Sequence, residues 1–346
     1  MIHFYHILNQ LISIQSDDPL FIEEFHKDYQ WFKKIPNTEA SCDIQICLHK
    51  NQLQINHMQI DISNHPTPRH YAFQLVVSEI MSQMKDYYLI HAGVVKKGDH
   101  IIILSGPPGI GKSTIVKTLV ENGFIFFSDD CAPLHKKEGL IYPFPRSMWI
   151  VEKQINKHAI RSKKAIPIKC SSDLYNVALK PTTIICLIDD KTAGQTIQLN
   201  LSLKSNENPV IEKLKQVPGI NISQRHPLHA EYRIQFPVSN DINKFIQDIF
   251  NQYKQHIWTL YRVPPIRKCF DRQAKIKKVS AHQVAAEMLS EMKMFESCLA
   301  HFDNEALMVS LINISKQIQD ANCFFLSVGT LSSVIDCINN TLDLRT

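Results

Sequence analysis

Residues 100–130 read HIIILSGPPGIGKSTIVKTLVENGFIFFSDD, and this stretch decides the fold. The apolar run from His100 to Leu104 predicts a buried strand, and the segment from about Lys112 to Asn122 predicts a helix that Gly123 ends. A second apolar run, Phe124 to Phe127, predicts the next buried strand, which leads into two aspartates. A strand, a glycine-rich loop, a helix and a strand in this order indicate the start of an α/β core.

The loop between strand and helix matches the pattern G-x-x-x-x-G-K-[ST] of a P-loop at every position. Glycines let the backbone wrap phosphates, and the start of the helix adds positive charge. The apolar strand before the loop and the helix after it argue against a chance match in an ordinary turn. We therefore predict ATP or GTP binding, with Lys112 reaching the β- and γ-phosphates and Ser113 holding Mg²⁺. The predicted nucleotide-binding residues are Gly106, Pro107, Pro108, Gly109, Ile110, Gly111, Lys112, Ser113 and Thr114.

The two aspartates, Asp129 and Asp130, follow the second strand directly. The carboxyl ends of neighbouring parallel strands meet at one edge of a sheet, so we expect both side chains near the phosphate site. One carboxylate suits the metal, and the other suits removal of a proton from an attacking hydroxyl. A pair of solvated loop aspartates, or a helix cap, is the weaker interpretation because a buried strand precedes them.

One histidine, His91, lies in the apolar run from Leu89 to Val95, which predicts a strand before that of the loop. A lone histidine in such a strand is more often a core residue than a catalytic one. The residues alone therefore leave its role open between these two.

The segment from Leu89 to Arg146 resembles the core of the HPr kinase/phosphorylase family. The likeness rests on His91-Ala92, the P-loop, the double aspartate and the intervals between them, and Pro143-Phe144-Pro145-Arg146 is similar to a proline-arginine step of looser relatives. It implies a P-loop serine kinase similar to the nucleotide core of phosphoenolpyruvate carboxykinase. It also implies that Asp130 is the proton acceptor, that Ser113 and Asp129 serve the metal, and that His91 belongs to the active site.

The chain also departs from that family. The glycine-rich segment around the HPr enzyme's glutamate ligand has no counterpart, and Glu152 is the nearest acid to that position. The resemblance leaves a later catalytic arginine open among Arg225, Arg233 and Arg262. The chain is more similar to divergent relatives, some of which phosphorylate a serine in a ribosomally made peptide while others act on small serine-like metabolites.

Short alternating segments fill the first 65 residues and predict a small antiparallel sheet, with a turn at Lys50-Asn51-Gln52. A helix follows, with Thr67 as its cap and Pro68 in its first turn. We therefore predict an α/β protein with a small α+β N-terminal domain over residues 1–86. Residues 87–346 are predicted to form a P-loop catalytic domain of the HPr kinase type.

Later segments are less distinctive. We expect a strand at 182–188, amphipathic helices over 240–262 and 281–295 with Ser280 capping the second, and a final strand and helix between Cys323 and Asn340. The polar stretch from Ile197 to Ala230 predicts an irregular, substrate-facing loop. Such a loop favours a peptide acceptor over a small metabolite.

Composition excludes several classes of protein. With 346 residues, 44% of them hydrophobic, and a net charge of +5, the chain lacks the broad basic footprint of a nucleic-acid-binding protein. A run of about 18 apolar residues is absent, which predicts no spanning helix. Nine scattered cysteines without a CxxC pair predict reduced thiols. We expect a cytoplasmic protein that binds neither nucleic acid nor membrane.

Together these patterns lead to the hypothesis of an ATP- and Mg²⁺-dependent kinase that phosphorylates a serine-type hydroxyl of a peptide or protein. His91, Lys112 and Asp130 are the predicted catalytic residues, and Ser113 and Asp129 the predicted metal ligands. The alternatives are a nucleotide-binding regulatory module with weak ATPase activity and a kinase of a small serine-like metabolite. Relatives of the HPr enzyme form rings, so a homo-oligomer also stays open.

Overall fold

A computed structural model shows a mixed α/β fold with several sheets, and describes residues 1–34, 41–65, 67–107, 109–154, 161–166, 177–188, 196–204, 209–225, 230–237, 239–262, 272–290, 292 and 304–343. In these ranges the strands are β1 (Ile2–Ile7), β2 (Gln10–Ser16), β3 (Lys33–Lys34), β4 (Ile44–His49), β5 (Gln52–Ile55), β6 (Met58–Asp61), β7 (Tyr87–Ile90), β8 (Ala92–Lys97), β9 (His100–Ser105), β10 (Ile125–Ser128), β11 (Ala132–His135), β12 (Met148–Gln154), β13 (Arg161–Ile166), β14 (Thr183–Ile188), β15 (Thr196–Leu203), β16 (Asn221–Gln224), β17 (Glu231–Pro237), β18 (Ile257–Arg262), β19 (Lys275–Lys278) and β20 (Asn322–Ser327). The helices there are α1 (Pro19–Tyr29), α2 (Pro68–Ser82), α3 (Lys112–Glu121), α4 (Pro209–Lys215), α5 (Asn240–Gln252), α6 (Ala281–Ser290), α7 (Asn304–Gln317) and α8 (Leu331–Thr341).

The first sheet has the order β3-β1-β2-β4-β5-β6. The prediction of an antiparallel sheet was wrong at one step, since β2 and β4 pair in parallel. The helix α1 lies between β2 and β3 in the sequence, and it was not predicted. Asp18 caps it by accepting from the backbone N–H groups of Leu20 and Phe21. The predicted turn after β4 is confirmed, while Thr67 makes no side-chain capping bond to α2.

The central sheet has the order β10-β8-β9-β14-β20-β19. Its middle strands β9, β14 and β20 run in parallel, and the remaining three pair antiparallel with their neighbours. Helices α3 and α8 cover one face of this sheet and α6 and α7 cover the other, because buried side chains of each pair join separate hydrophobic clusters with alternate strand residues. The predicted α3, β14, β20 and α8 are thus present, and Ser280 caps α6 through the backbone N–H of Gln283.

A third sheet, of order β16-β17-β15-β18, corrects the prediction for the polar stretch 197–230. The described part of that stretch holds β15, α4 and β16 rather than an irregular loop. Its polarity arises because β15 alternates, with apolar residues such as Leu201 packed against α4 and α5 and polar ones on the opposite face. The predicted helix 240–262 is also shorter, since α5 ends at Gln252 and β18 begins at Ile257.

The predicted domain boundary at residue 86 falls directly before β7. The hydrophobic core of the first sheet continues past it, because the core includes Tyr87, Leu89, Cys131 and Phe144. The division into 1–86 and 87–346 stays a prediction. In the part of the chain that the structure describes, no helix is long and apolar enough to cross a membrane.

Close packing of α3 on the sheet depends on Gly93 in β8. A Cβ atom at this position would lie 2.4 Å from Cγ2 of Val116, which is fully buried in α3. Because glycine has no side chain, α3 can lie directly on β8.

We expect Gly93→Ala to lower the free energy of unfolding by about 1–3 kcal/mol, the usual cost of overpacking a core. Combining it with Val116→Ala removes the clashing methyl groups, so the double variant is expected to be more stable than the sum of the single effects predicts. Urea unfolding of the two single variants and the double variant measures this coupling. Strict additivity would contradict the proposed contact.

Candidate active site

The glycine-rich loop between β9 and α3 has a glycine at each end whose backbone geometry disfavours other residues. Gly106 has φ of +148°, and a Cβ there would lie 2.8 Å from the carbonyl oxygen of Leu187 in the adjacent strand β14. Gly111 has φ of +104° and forms the N-cap of α3 in the left-handed region. These positions accept only glycine without strain, and they turn the chain so that α3 begins at the edge of the sheet.

The lysine of the motif is buried within its own loop. Lys112 is 5% exposed, and its Nζ donates to the carbonyl oxygens of Gly106 and Pro107. Ile110 at the loop apex packs into the cluster between α3 and the sheet, while Ser113 is half-buried and Thr114 is exposed. Pro108, also predicted to bind nucleotide, lies outside the described residues.

Three chain segments meet at the edge of the sheet where α3 begins. The end of β9 pairs with the start of β8, Ser105 opposite Ala92, and the end of β10 pairs near the same level, Ser128 opposite Val94. The sequence argument assumed that β10 is a parallel neighbour of β9, and this was wrong. The antiparallel β8 lies between them, so β10 runs in the direction of β9 and ends at the same edge.

His91 lies at a bend between two strands, not within one strand as predicted. β7 pairs with β11, and β8 pairs with β10, both in antiparallel orientation. The two pairs follow one ladder that is interrupted at a single level, between β7 and β8 on one side and between β10 and β11 on the other. Before the interruption, Ile90 of β7 pairs with Ala132 of β11. After it, Val94 of β8 pairs with Ser128 of β10. Carrying this register through the break puts Asp129 opposite Gly93 and Asp130 opposite Ala92, which is next to His91.

The two aspartates have different surroundings, as the sequence argument required. Asp129 is 6% exposed, and its backbone carbonyl faces Gly93. The side chain of Asp130 is 49% exposed, and its Oδ1 lies 3.1 Å from Nε2 of His91. This distance is short enough for the ring nitrogen to donate to the carboxylate. Neither a solvated pair of aspartates nor a helix cap describes this arrangement.

A fourth segment brings Arg146 to the same carboxylate. The backbone N–H groups of Tyr142 and Phe144 donate to the carbonyl oxygens of Pro133 and Phe127, which fixes this segment alongside β10 and β11. Nη1 of Arg146 then lies 4.0 Å from Oδ2 of Asp130. The sequence singled out Arg146 by resemblance only and assigned it no role.

The guanidinium of Arg146 is also held from behind by α1. Its Nη2 pairs with Oδ2 of Asp28, a residue 3% exposed, and its Cζ lies 5.1 Å from the ring centroid of Tyr29. Burial opposes the charge of Arg146, yet the pKa of the guanidinium is raised because negative charge surrounds it. Burial raises the pKa of the Tyr29 hydroxyl, so that hydroxyl stays neutral and the negative charges are those of Asp28 and Asp130.

The residues whose roles the resemblance did not decide lie in other strands or next to them. Arg225 pairs with Glu231 at 3.5 Å in the third sheet, and Arg233 belongs to β17 of that sheet. Arg262 ends β18 and Glu152 lies in β12.

Metal-binding groups at this edge are sparse. Within the described ranges, no group of three or more His, Cys, Asp or Glu residues is arranged to hold a metal ion. Mg²⁺ bound to a nucleotide needs only one or two protein ligands, and Ser113 and Asp129 supply oxygen at this edge. The sequence also continues from the parallel neighbour β14 into Asp189 and Asp190, which lie outside the described residues.

Comparison with known proteins gives limited similarity. The family model of the virulence-associated protein E-like domain matches residues 54–165, about a third of the chain. Among solved structures, the HPr(Ser) kinase/phosphatase from Coxiella burnetii matches at 17% identity over 47% of this chain and 95% of that one, with a TM-score of 0.23. A TM-score this low does not establish a shared fold. No curated protein matches.

The geometry predicts that Arg146 and Asp28 depend on each other for stability. We expect Arg146→Met to cost about 3–5 kcal/mol of unfolding free energy, since it leaves the Asp28 carboxylate buried without its counter-charge. Arg69→Met is the matched control, because Arg69 pairs with Asp18 of the same helix at 2.6 Å where both side chains are more exposed. The control is expected to cost about 1 kcal/mol or less. Equal losses in urea unfolding would contradict the buried pair.

Proposed function

We propose that this chain transfers the γ-phosphoryl group of ATP to a serine-type hydroxyl. One observation carries the proposal: the register of β8, β9 and β10 brings Asp130, held by His91, to the edge of the sheet where the lysine loop enters α3. A half-exposed carboxylate beside a phosphate-binding loop is the pair of groups that phosphoryl transfer needs.

The loop fits ATP. Its glycine turns lead into the start of a ten-residue helix, where backbone N–H groups favour an anion. Lys112 lies against the loop carbonyls, from which it can exchange to phosphate. Ser113, half-buried in the first turn of that helix, and the buried Asp129 would hold Mg²⁺. The ion supplies neutralisation of the charge on the transferred group.

In the proposed step, the acceptor oxygen attacks the γ-phosphorus. A new P–O bond forms, the bond to the β,γ-bridging oxygen breaks, and ADP leaves. Asp130 takes the proton of the hydroxyl, His91 donates a hydrogen bond that orients the carboxylate, and Lys112 balances the charge on the departing phosphate. Positioning and charge stabilisation account for most of such catalysis.

The acceptor in the proposal is a serine of a peptide or protein. The sequence argument from an irregular loop at 197–230 no longer supports this choice, because the described part of that stretch is folded. The choice rests on the resemblance to kinases of serine-containing substrates and on the exposure of Asp130, which a large acceptor can reach.

The destination of the labelled γ-phosphate tests the proposed function. The full chain is incubated with γ-labelled ATP and Mg²⁺, with an array of serine-containing peptides, with free serine, or without an acceptor. We expect stoichiometric label in a peptide. Label in free serine only would indicate a metabolite kinase. Slow release of free phosphate only would indicate a regulatory nucleotide-binding module, and no binding of ATP would overturn the assignment.

Nucleotide binding depends on the charge of Lys112. Lys112→Ala is expected to weaken ATP binding at least about tenfold, because the phosphates lose a charged donor in a site of backbone N–H groups. Ser113→Ala is expected mainly to raise the Mg²⁺ concentration needed. Lys117→Ala is the control, since Lys117 lies on the same helix and pairs with Glu121. Undiminished affinity of Lys112→Ala in calorimetry would contradict the phosphate-binding role.

The two aspartates are expected to respond differently to Mg²⁺. Asp130→Asn keeps the shape of the side chain and removes its basicity, so we expect transfer to fall about 10²-fold with nearly unchanged binding of Mg-ATP. Asp129→Asn is expected to weaken metal-dependent nucleotide binding, and excess Mg²⁺ to restore it in part. Titrations of the transfer rate with Mg²⁺ decide this. Restoration of Asp130→Asn instead would exchange the two roles.

A further inference from the structure

The N-terminal sheet and its helix reach the proposed active site through a chain of charges. α1 ends at Tyr29, and its last turn presents Asp28 to Arg146, which lies 118 residues later in the sequence. The hydroxyl of Ser147 donates to the carbonyl oxygen of Lys27 at 2.9 Å, so two neighbouring residues hold the same helix end. Arg146 in turn faces Asp130.

If its role were purely structural, this arrangement would contribute unfavourably to the stability of the fold. An acidic side chain in the last turn of a helix opposes the helix dipole, and Asp28 is also removed from water. Hydrogen bonding is incomplete as well, because Oδ1 of Asp28 and Nε of Arg146 are buried without a hydrogen-bond partner among the described residues. A buried pair that is only partly satisfied adds little stability beyond an apolar replacement, so its geometry calls for another explanation.

Orientation of Arg146 supplies that explanation. A guanidinium is planar, and it is fixed here on one side by the Asp28 carboxylate and on its face by the Tyr29 ring. The second terminal nitrogen, Nη1, lies 4.0 Å from Oδ2 of Asp130, while Oδ1 of the same carboxylate lies 3.1 Å from Nε2 of His91. The two oxygens of Asp130 therefore face charged or polar groups from two sides, His91 between β7 and β8 and Arg146 in the segment that α1 contacts.

We infer that Asp28 and Arg146 are positioning residues for the proposed reaction, with Asp28 fixing Arg146 and Arg146 fixing the carboxylate of Asp130. The N-terminal sheet is then part of the catalytic apparatus and not only a packing partner. This inference rests on the proposed function, in which Asp130 accepts the proton.

A double-mutant cycle separates positioning from simple stabilisation. The readout is phosphate released from γ-labelled Mg-ATP with water as the acceptor, together with label transferred to the serine-peptide array, each per folded molecule. Asp28→Asn is expected to lower kcat about tenfold with an unchanged KM for Mg-ATP. In the Asp130→Asn background the same substitution is expected to have no further effect, because the group it positions is already lost. Arg146→Lys, which keeps the charge but not the planar fork, is expected to follow Asp28→Asn.

The control is Asp18→Asn, which changes the other aspartate of α1 that pairs with an arginine and is expected to leave kcat unchanged. An equal loss from Asp28→Asn in both backgrounds would show a structural role and overturn the inference, as would no loss in the otherwise unchanged protein. A third outcome is that phosphate release changes among the variants as expected while no peptide becomes labelled. This outcome refutes the peptide acceptor and leaves the positioning roles intact.

Crystal structures of Asp28→Asn and of the unchanged protein decide the geometry without any activity. We expect Arg146 to turn away from Asp130 in the variant. If ATP is not turned over at all, the proposed function fails, and these structures still test the positioning. An Arg146–Asp130 distance unchanged from 4.0 Å would overturn it.

Discussion

The break in the ladder between β7–β8 and β10–β11 is the constraint on which the rest of the structure depends. In an unbroken antiparallel ladder, side chains alternate between the two faces, and His91 and Asp130 would have been set by that alternation. Interruption of both strands at one level frees these residues from strand geometry while β7–β11 and β8–β10 hold them in place. Gly93 lies opposite Asp129 at this interruption, and its lack of a side chain lets α3 pack closely on β8.

Charge is concentrated at this break, and its distribution follows burial. Arg146 is held between one buried carboxylate and one half-exposed carboxylate, so its position is determined from inside the molecule. Such a pair gives a large penalty for removing one partner and little net gain from forming, because desolvation offsets the attraction. Stability therefore comes from the apolar clusters on both faces of the central sheet, while the charges determine where groups point.

Local patterns in the sequence predicted the local structure. The strand, loop, helix and strand at 100–128 follow from an apolar run, glycines with left-handed backbone and a helical apolar stripe, all of which act within about ten residues. The third sheet was missed because β15 has a buried polar face: Gln198 and Asn200 are 7% and 6% exposed. Burial of polar residues depends on partners such as Gln235 in β17, which no periodicity reveals. The spacing of His91 and Asp130 was visible, but their contact depends on strand register, and the contact of Asp28 with Arg146 joins distant segments.

The different burial of two adjacent aspartates limits how an acceptor can approach in the proposed reaction. Asp129 has only 6% of its surface exposed, so it is largely closed to a large molecule in solution. Asp130 is half-exposed, and His91 and Arg146 are among the side chains beside it. In the proposed reaction, an acceptor hydroxyl at Asp130 lies close to Arg146, whose guanidinium pairs with the end of α1. The surroundings of Asp130 in the proposed reaction therefore include residues held by the N-terminal sheet unit as well as by the central sheet, although only the central sheet carries the glycine-rich loop.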